Sequence, residues 1–168
     1  MKKIELFSGE DCLVDDEDFE EISKKKWYIL KNRNRNTCYA QTHVKLNGKD
    51  VKDYMHRIIM KLSKNDERYI DHIDGNGLNN QKNNLRFCTI SQNAGNSSKQ
   101  KNNTSGYKGV FYHKHSKKYQ VQIMSNKKMT ACGYFKTKEE AALVYDVKAI
   151  ELFGEFAKTN FIDVSDWT

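Results

Sequence analysis

A chain of 168 residues with 29 Lys and Arg against 22 Asp and Glu, a formal net charge of +7 and only 38% hydrophobic residues is long enough for one ordinary domain or two small ones. So polar a composition argues against one large apolar core; no apolar run approaches membrane-spanning length, and the Met-Lys-Lys start leads into acidic residues, so a soluble intracellular protein is expected. Cys12, Cys38, Cys88 and Cys132 are scattered without a Cys-x-x-Cys pair, which supports neither a structural zinc site nor a disulfide framework and leaves buried free thiols.

Residues 1–46 read as a small β unit. Lys3-Ile-Glu-Leu-Phe alternates, Cys12-Leu-Val is a second extended piece, and Asp15 to Ser23 is a short acidic helix. Trp27 to Leu30 and Tyr39 to Leu46 suggest a meander turning at Asn47-Gly48. Trp27 is the expected core anchor, and the acidic block from Glu5 to Glu21 is read as a solvated face. From Val51 to Leu62, the residues Tyr54, Met55, Ile58, Ile59 and Leu62 recur at near-helical spacing, which predicts a supporting helix. Ser63 to Glu67 is a polar connection.

Tyr69 to Asn93 is the stretch with the residue types that chemistry needs. Arg68 to Ile73 mixes aromatic and β-branched residues and reads as a short strand carrying Asp71 and His72. Asp74 to Asn84 is a Gly and Asn run that favours tight turns, and Thr89 opens a helix carrying Asn93. Asp and Asn oxygens are hard ligands suited to Mg²⁺, while an imidazole with an ordinary pKa of about 6.5 takes a proton from water at neutral pH. One metal, one base and a phosphodiester compose a hydrolase. An Asp-His pair in such a loop is, by itself, also an ordinary turn.

Asn96 to Ser105 contains no apolar residue and reads as a basic linker; Lys99 and Lys101 either follow a phosphate backbone or belong to a plain tether. From Gly106 three alternating segments follow, Tyr107 to His113, Lys118 to Met124 and Met129 to Phe135, then a helix from Thr137 to Phe153 stopped by Gly154. In the middle strand Tyr119, Val121 and Ile123 face one way, onto a helix stripe of Ala142, Tyr145, Ala149 and Leu152, while Gln120, Gln122 and Met124 face the other. From Gly75 to Lys138 there is no Asp or Glu, and an acid-free tract of that length suits a surface laid along a polyanion.

Asp71-His72-Ile-Asp-Gly-Asn, Asn79-Asn80, Asn83-Asn84-Leu-Arg-Phe-Cys-Thr and Ser91-Gln92-Asn93 resemble, in order and spacing, the signature of HNH homing endonucleases of phage and introns. The resemblance implies a ββα-metal nuclease, encoded by a phage or mobile element, with His72 as general base and Asp71 and Asn93 as ligands of one divalent metal, Mg²⁺ with Mn²⁺ as the alternative. It also implies that Asn84 holds the loop. Asn93 stands where the motif often has His. The family's additional His-Arg pair is matched by His56-Arg57, with His56 either on phosphate or packed.

Ser105-Gly-Tyr-Lys-Gly-Val, Cys132-Gly-Tyr-Phe, Thr137-Lys-Glu-Glu-Ala-Ala, Tyr145-Asp146 and Asn160-Phe161 resemble the plant APETALA or ethylene-response-factor DNA-binding domain. Lys108, Phe111, His113, Met124 and Met129 stand where those domains hold arginines, so the plant target does not transfer. The resulting expectation is an α+β chain with a nuclease domain over 1–95, a linker over 96–105 and a sheet-plus-helix DNA-binding domain over 106–168. Its partner is double-stranded DNA, touched by Lys108, His113, Gln120, Gln122, Lys127, Lys128, Lys99, Lys101, Arg86 and His56. A DNA-binding regulator with an inactive nuclease half is the alternative.

Overall fold

Alternation at the amino terminus turns Ile4 inward, where β1 (Lys2–Glu5) pairs antiparallel with β2 (Asp11–Val14) and Ile4 lies opposite the buried Cys12. The computed structural model describes residues 1–31, 37–46 and 48–167, and these divide into two compact units, Met1–Phe87 and Cys88–Thr168. The fold class is α+β, with small sheets and short helices in each unit.

In the first unit α1 (Asp16–Ser23) buries Ile22, and Trp27 packs beside it with its indole Nε1 donating to the Ile22 carbonyl at 2.8 Å. A fully buried apolar side chain of this size contributes about 2 kcal/mol, so Trp27 is the anchor its position predicts. The meander follows as β3 (Tyr28–Lys31), β4 (Cys38–Leu46) and β5 (Lys49–Tyr54), antiparallel in that order; Asn47 of the expected turn lies outside the described residues.

The helix expected over Val51 to Leu62 is mostly absent. Val51 pairs with Val44 and Tyr54 with Gln41, so ladder hydrogen bonds along β4 hold 51–54 extended. Only α2 (Met55–Ile59) is helical, burying Met55 and Ile59 four residues apart. The acidic block is likewise not simply a solvated face. Asp15 accepts from the Lys82 backbone N–H at 2.8 Å and from Gln81 Nε2 at 3.2 Å, and Lys82 Nζ pairs with Asp18 at 3.0 Å. These carboxylates fasten the loop that closes the next hairpin.

The second unit begins with α3 (Ile90–Asn96) and continues into β8 (Val110–His113), β9 (Lys118–Ser125) and β10 (Lys128–Phe135), a sheet ordered β10-β9-β8 with a register shift between Ala131 and Gly133. β8 begins later than expected because Gly109 turns at φ +72°, where a Cβ would stand 2.0 Å from the Tyr145 ring. α4 (Lys138–Phe153) starts on a reciprocal cap between Thr137 and Glu140 and stops at Gly154. Its inward stripe is Ala142, Tyr145, Ala149 and Phe153; Leu152, expected there, is 38% exposed because the four-residue step from Ala149 lands on Phe153.

Two features latch this unit. Asp146, fully buried, accepts from the backbone N–H groups of Asn160 and Phe161, both at 2.7 Å. Within the stretch read as a linker, Ser105 is buried and donates to the Val110 carbonyl at 2.8 Å, and Asn103 Nδ2 donates to the Tyr107 carbonyl at 2.8 Å, so its end is built into the fold. All four cysteines are free thiols, but of the four expected to be buried only Cys12 is, Cys38, Cys88 and Cys132 being half-buried; no helix of the described residues is long and apolar enough to cross a membrane.

Candidate active site

β6 (Tyr69–His72) and β7 (Leu85–Cys88) form a two-stranded sheet, and the Gly and Asn run between them folds back so that Ile73 N–H donates to the Asn84 carbonyl at 2.9 Å. Successive strand residues point to opposite faces, so Asp71 and His72, both only 4% exposed, face different neighbours. Asp71 meets Arg86 of β7, with Oδ2 at 3.1 Å from Nε and 3.0 Å from a terminal guanidinium nitrogen. His72 Nε2 meets Asn80 Oδ1 at 3.3 Å.

Asn80 is fully buried, and its Nδ2 points at Cys12 Sγ at 3.4 Å. With the amide nitrogen toward the thiol, the amide oxygen faces the ring and can accept from Nε2 in the tautomer that keeps the basic lone pair on Nδ1. Burial pushes the Cys12 thiol up to about 12, so it stays protonated, the Asn80 contact opposing that shift only in part. β2 brings Cys12 to this spot and also clips the loop directly: Leu13 N–H donates to the Leu78 carbonyl and Asn80 N–H to the Leu13 carbonyl, each at 2.8 Å.

The loop is organised by Asp74 and Asn84. Asp74 Oδ1 accepts from Asn76 N–H at 2.7 Å and Asn84 Nδ2 at 3.0 Å, and Oδ2 accepts from Asn79 Nδ2 at 2.9 Å. Asn84 Oδ1 in return accepts from Asp74 N–H at 3.0 Å, and its Nδ2 reaches the Asn79 carbonyl at 2.8 Å. Burial pushes the Asp74 carboxyl up, but donation from Asn79, Asn76 and Asn84 and the nearby His72 outweigh it, leaving it below the usual carboxylate range. Gly77 comes so close to β4 that a Cβ would stand 2.2 Å from the Cys38 carbonyl oxygen and 2.6 Å from the Tyr39 ring.

Around His72 the rings of Tyr39 and His56 stand 5.8 Å and 5.1 Å away, and Tyr54 stacks on His56 at 5.5 Å. Burial, then the His72 and Arg57 charges, lower the His56 imidazole to about 3, so it is neutral, and its buried Nδ1 has no hydrogen-bond partner. His72 is also lowered by burial, against the raising effects of Asn80, Asp74 and Asp71. Arg57 serves the fold, donating to the carbonyls of Ser63 at 2.9 Å and Asp66 at 2.8 Å.

At this end of β6 the Asp71 carboxylate is paired with Arg86, and His56 Nδ1 is an orphaned buried nitrogen beside the His72 ring. Among the described residues no three His, Cys, Asp or Glu converge, so an ion here would have few protein ligands and keep several waters. Asn93 is carried half-buried on α3, whose start is fixed by Thr89 accepting from Gln92 N–H at 3.2 Å and Gln92 Oε1 accepting from Thr89 N–H at 2.8 Å.

The other predicted contact residues divide into engaged and exposed. Arg86 is on Asp71, and Lys108 Nζ donates to the Gly95 carbonyl while its backbone N–H donates to Asn160 Oδ1 at 2.7 Å. Lys99, although exposed, donates to the Gly106 carbonyl at 2.7 Å. His113 Nδ1 lies 2.9 Å from Ser116 Oγ, Gln120 and Gln122 are half-buried, and Lys101, Lys127 and Lys128 are exposed. Cys12, Asp15, Asp74 and Asn80 were not singled out from the sequence. Asp74 and Asn80 lay within the quoted motif, whereas Cys12 and Asp15 reach the site only through the pairing of β2 with the loop.

No protein-family model matches the chain, and no solved structure matches it. Among curated proteins it is 35% identical over 142 residues to "Uncharacterized HNH endonuclease L560" of Acanthamoeba polyphaga mimivirus, covering 84% of this chain and 70% of that protein. It is 36% identical over 90 residues to "Protein 3.8" of Escherichia phage T7, covering 54% of this chain and 74% of that one. It is also 40% identical over 65 residues to "Ethylene-responsive transcription factor WRI1" of Arabidopsis thaliana, a match covering 38% of this chain and only 15% of the plant protein.

Proposed function

We propose that this chain, which belongs to the HNH endonuclease family, is a metal-dependent, homing-type DNA endonuclease that cuts phosphodiester bonds with His72 as general base. The observation that carries the reading is the imidazole itself: buried, kept neutral, and held through Nε2 by the amide of Asn80 at 3.3 Å. A neutral imidazole held this way has its basic lone pair on Nδ1, the atom suited to take the proton of an attacking water. The HNH motif, read from the sequence, assigns Asp71 and Asn93 to one divalent ion, Mg²⁺ or Mn²⁺, which when bound would supply positive charge to the scissile phosphate and the leaving oxygen. Asn84 keeps the loop closed around this end of β6, and Arg86 balances the buried charge of Asp71.

The domain reading is a nuclease over 1–95 joined through 96–105 to a DNA-binding sheet over 106–168, supported by a 65-residue likeness of this chain to a protein named as a transcription factor. His56, ring to ring with His72 and stacked on Tyr54, is assigned to packing. Lys101, Lys127 and Lys128 supply exposed cations for the DNA backbone.

One observation favours a second reading, a DNA-binding regulator whose nuclease half no longer cuts. Asp71 already has a cationic partner in Arg86, and Asn rather than His stands at position 93. Incubating the protein with supercoiled plasmid and Mg²⁺ or Mn²⁺ separates the two. Nicking or linearisation is expected, and His72→Ala is expected to bind the plasmid as before without cutting it. Intact plasmid with the unaltered chain would establish the regulator, and cutting by His72→Ala at the unaltered rate would remove His72 from the mechanism.

A further inference from the structure

The outward face of the sheet in the second unit is built without a formal charge at its centre. Alternation along β9 sends Val121 and Ile123 into the core, 0% and 3% exposed, so Gln120, Gln122 and Met124 project from the opposite face. The strand register lays three rows across it: Phe111, Gln120 and Tyr134; Gln122 beside Ala131; Met124 beside Met129. Phe111, Tyr134, Met124 and Met129 are 44%, 46%, 54% and 51% exposed, a concentration of large apolar side chains that water alone does not favour.

The cations stand at the two ends of this face. Lys114, Lys117 and Lys118 lie at the turn between β8 and β9, Lys127 and Lys128 at the turn between β9 and β10, and all five are exposed. The unit contains no arginine, and its acidic residues all lie at Glu139 or beyond. Lys108, the lysine next to the start of β8, is drawn onto the Gly95 carbonyl.

We infer that this face reads A·T-rich duplex DNA through the major groove, an inference that rests on the DNA-binding reading of this unit. Base edges make the choice. Guanine is read most often by the paired donors of arginine or by lysine, and cytosine by a carboxylate. The middle of this face has none of these. Adenine is read by a Gln or Asn amide that donates and accepts together, and thymine by apolar contact with its 5-methyl group. Gln120 and Gln122 supply the first, and Phe111, Ala131, Met124 and Met129 the second. The lysines at both ends reach phosphates, which fix position and carry no sequence information.

The test is selection of duplexes from a randomised DNA library by the full chain, in chelator so that nothing is cut, followed by titration of the selected sequence. The expected pool has an A·T-rich core, and exchanging one contacted A·T pair for G·C weakens binding about ten-fold. Replacing the contacted thymines by uracil, which removes only the methyl group, weakens binding several-fold for the unaltered chain and has less effect on Phe111→Ala. A G·C-rich core, a pool without any preference, tighter binding to single strands, or indifference to the thymine methyl would each overturn the inference while leaving DNA binding in place. Failure to retain any DNA would overturn the DNA-binding reading itself and the inference with it.

Discussion

Asn80 decides how His72 is presented. Its side chain is fully buried between the Cys12 thiol and the imidazole, so Asn80→Leu keeps the volume and removes both polar contacts. DNA cutting is expected to fall about a hundred-fold, the usual scale of a general base put out of position, with plasmid binding within two-fold of the unaltered chain. Equal losses of cutting and binding would indicate a collapsed loop instead. Arg86→Ala leaves the Asp71 carboxylate buried without its counter-charge, and an unfolding titration in urea should show a loss of about 3 kcal/mol.

The imidazoles also set a pH dependence. His56 is pushed to about 3 by burial and then by the His72 and Arg57 charges, against an ordinary 6.5, and His72 is lowered in the same sense, chiefly by burial. Below 6.5 the unfolded chain therefore binds more protons than the folded one. Stability is fully present above that pH and declines as pH falls toward about 3. Urea midpoints measured between neutral pH and acid should fall over this window, and His56→Phe should flatten the fall.

At the level of elements, local signals held wherever side chain and backbone satisfied each other nearby. Thr89 with Gln92 and Thr137 with Glu140 both form reciprocal caps, so both helix starts were legible from four residues. Thr137→Ala should cost about 1 kcal/mol, read as a lowered thermal midpoint. The 51–62 stretch failed for the opposite reason. Its apolar spacing fits a helix, but hydrogen bonds to β4, a partner outside the local sequence window, keep 51–54 extended. Leu152 and Phe153 differ by one position, a distinction that depends on how α4 is rotated against β9 rather than on spacing alone.

For the molecule as a whole, the acid-free tract and the exposed lysines make salt the main lever on DNA affinity. Replacing Lys117, Lys118, Lys127 and Lys128 by Gln should reduce the dependence of log affinity on log salt by about 3.6 if each neutralises one phosphate. A titration series in KCl checks this, and an unchanged slope would move the DNA contacts to other cations. The charge distribution that motivates the test is visible in the sequence, since the second unit has no acid before Glu139.

The strand alternation and the capping signals by themselves pointed to an α+β chain with a Gly- and Asn-rich hairpin ahead of a three-stranded sheet and a helix, because these features depend on residues close together in sequence. The tertiary structure alone decided that Arg86 and Lys108 are bound within the protein, that Asp15 and Cys12 reach the loop from 60 or more residues away, and that Asn80 is the side chain against Nε2 of His72. A side chain's partner across the fold is chosen by strand pairing and burial, and neither has a local trace.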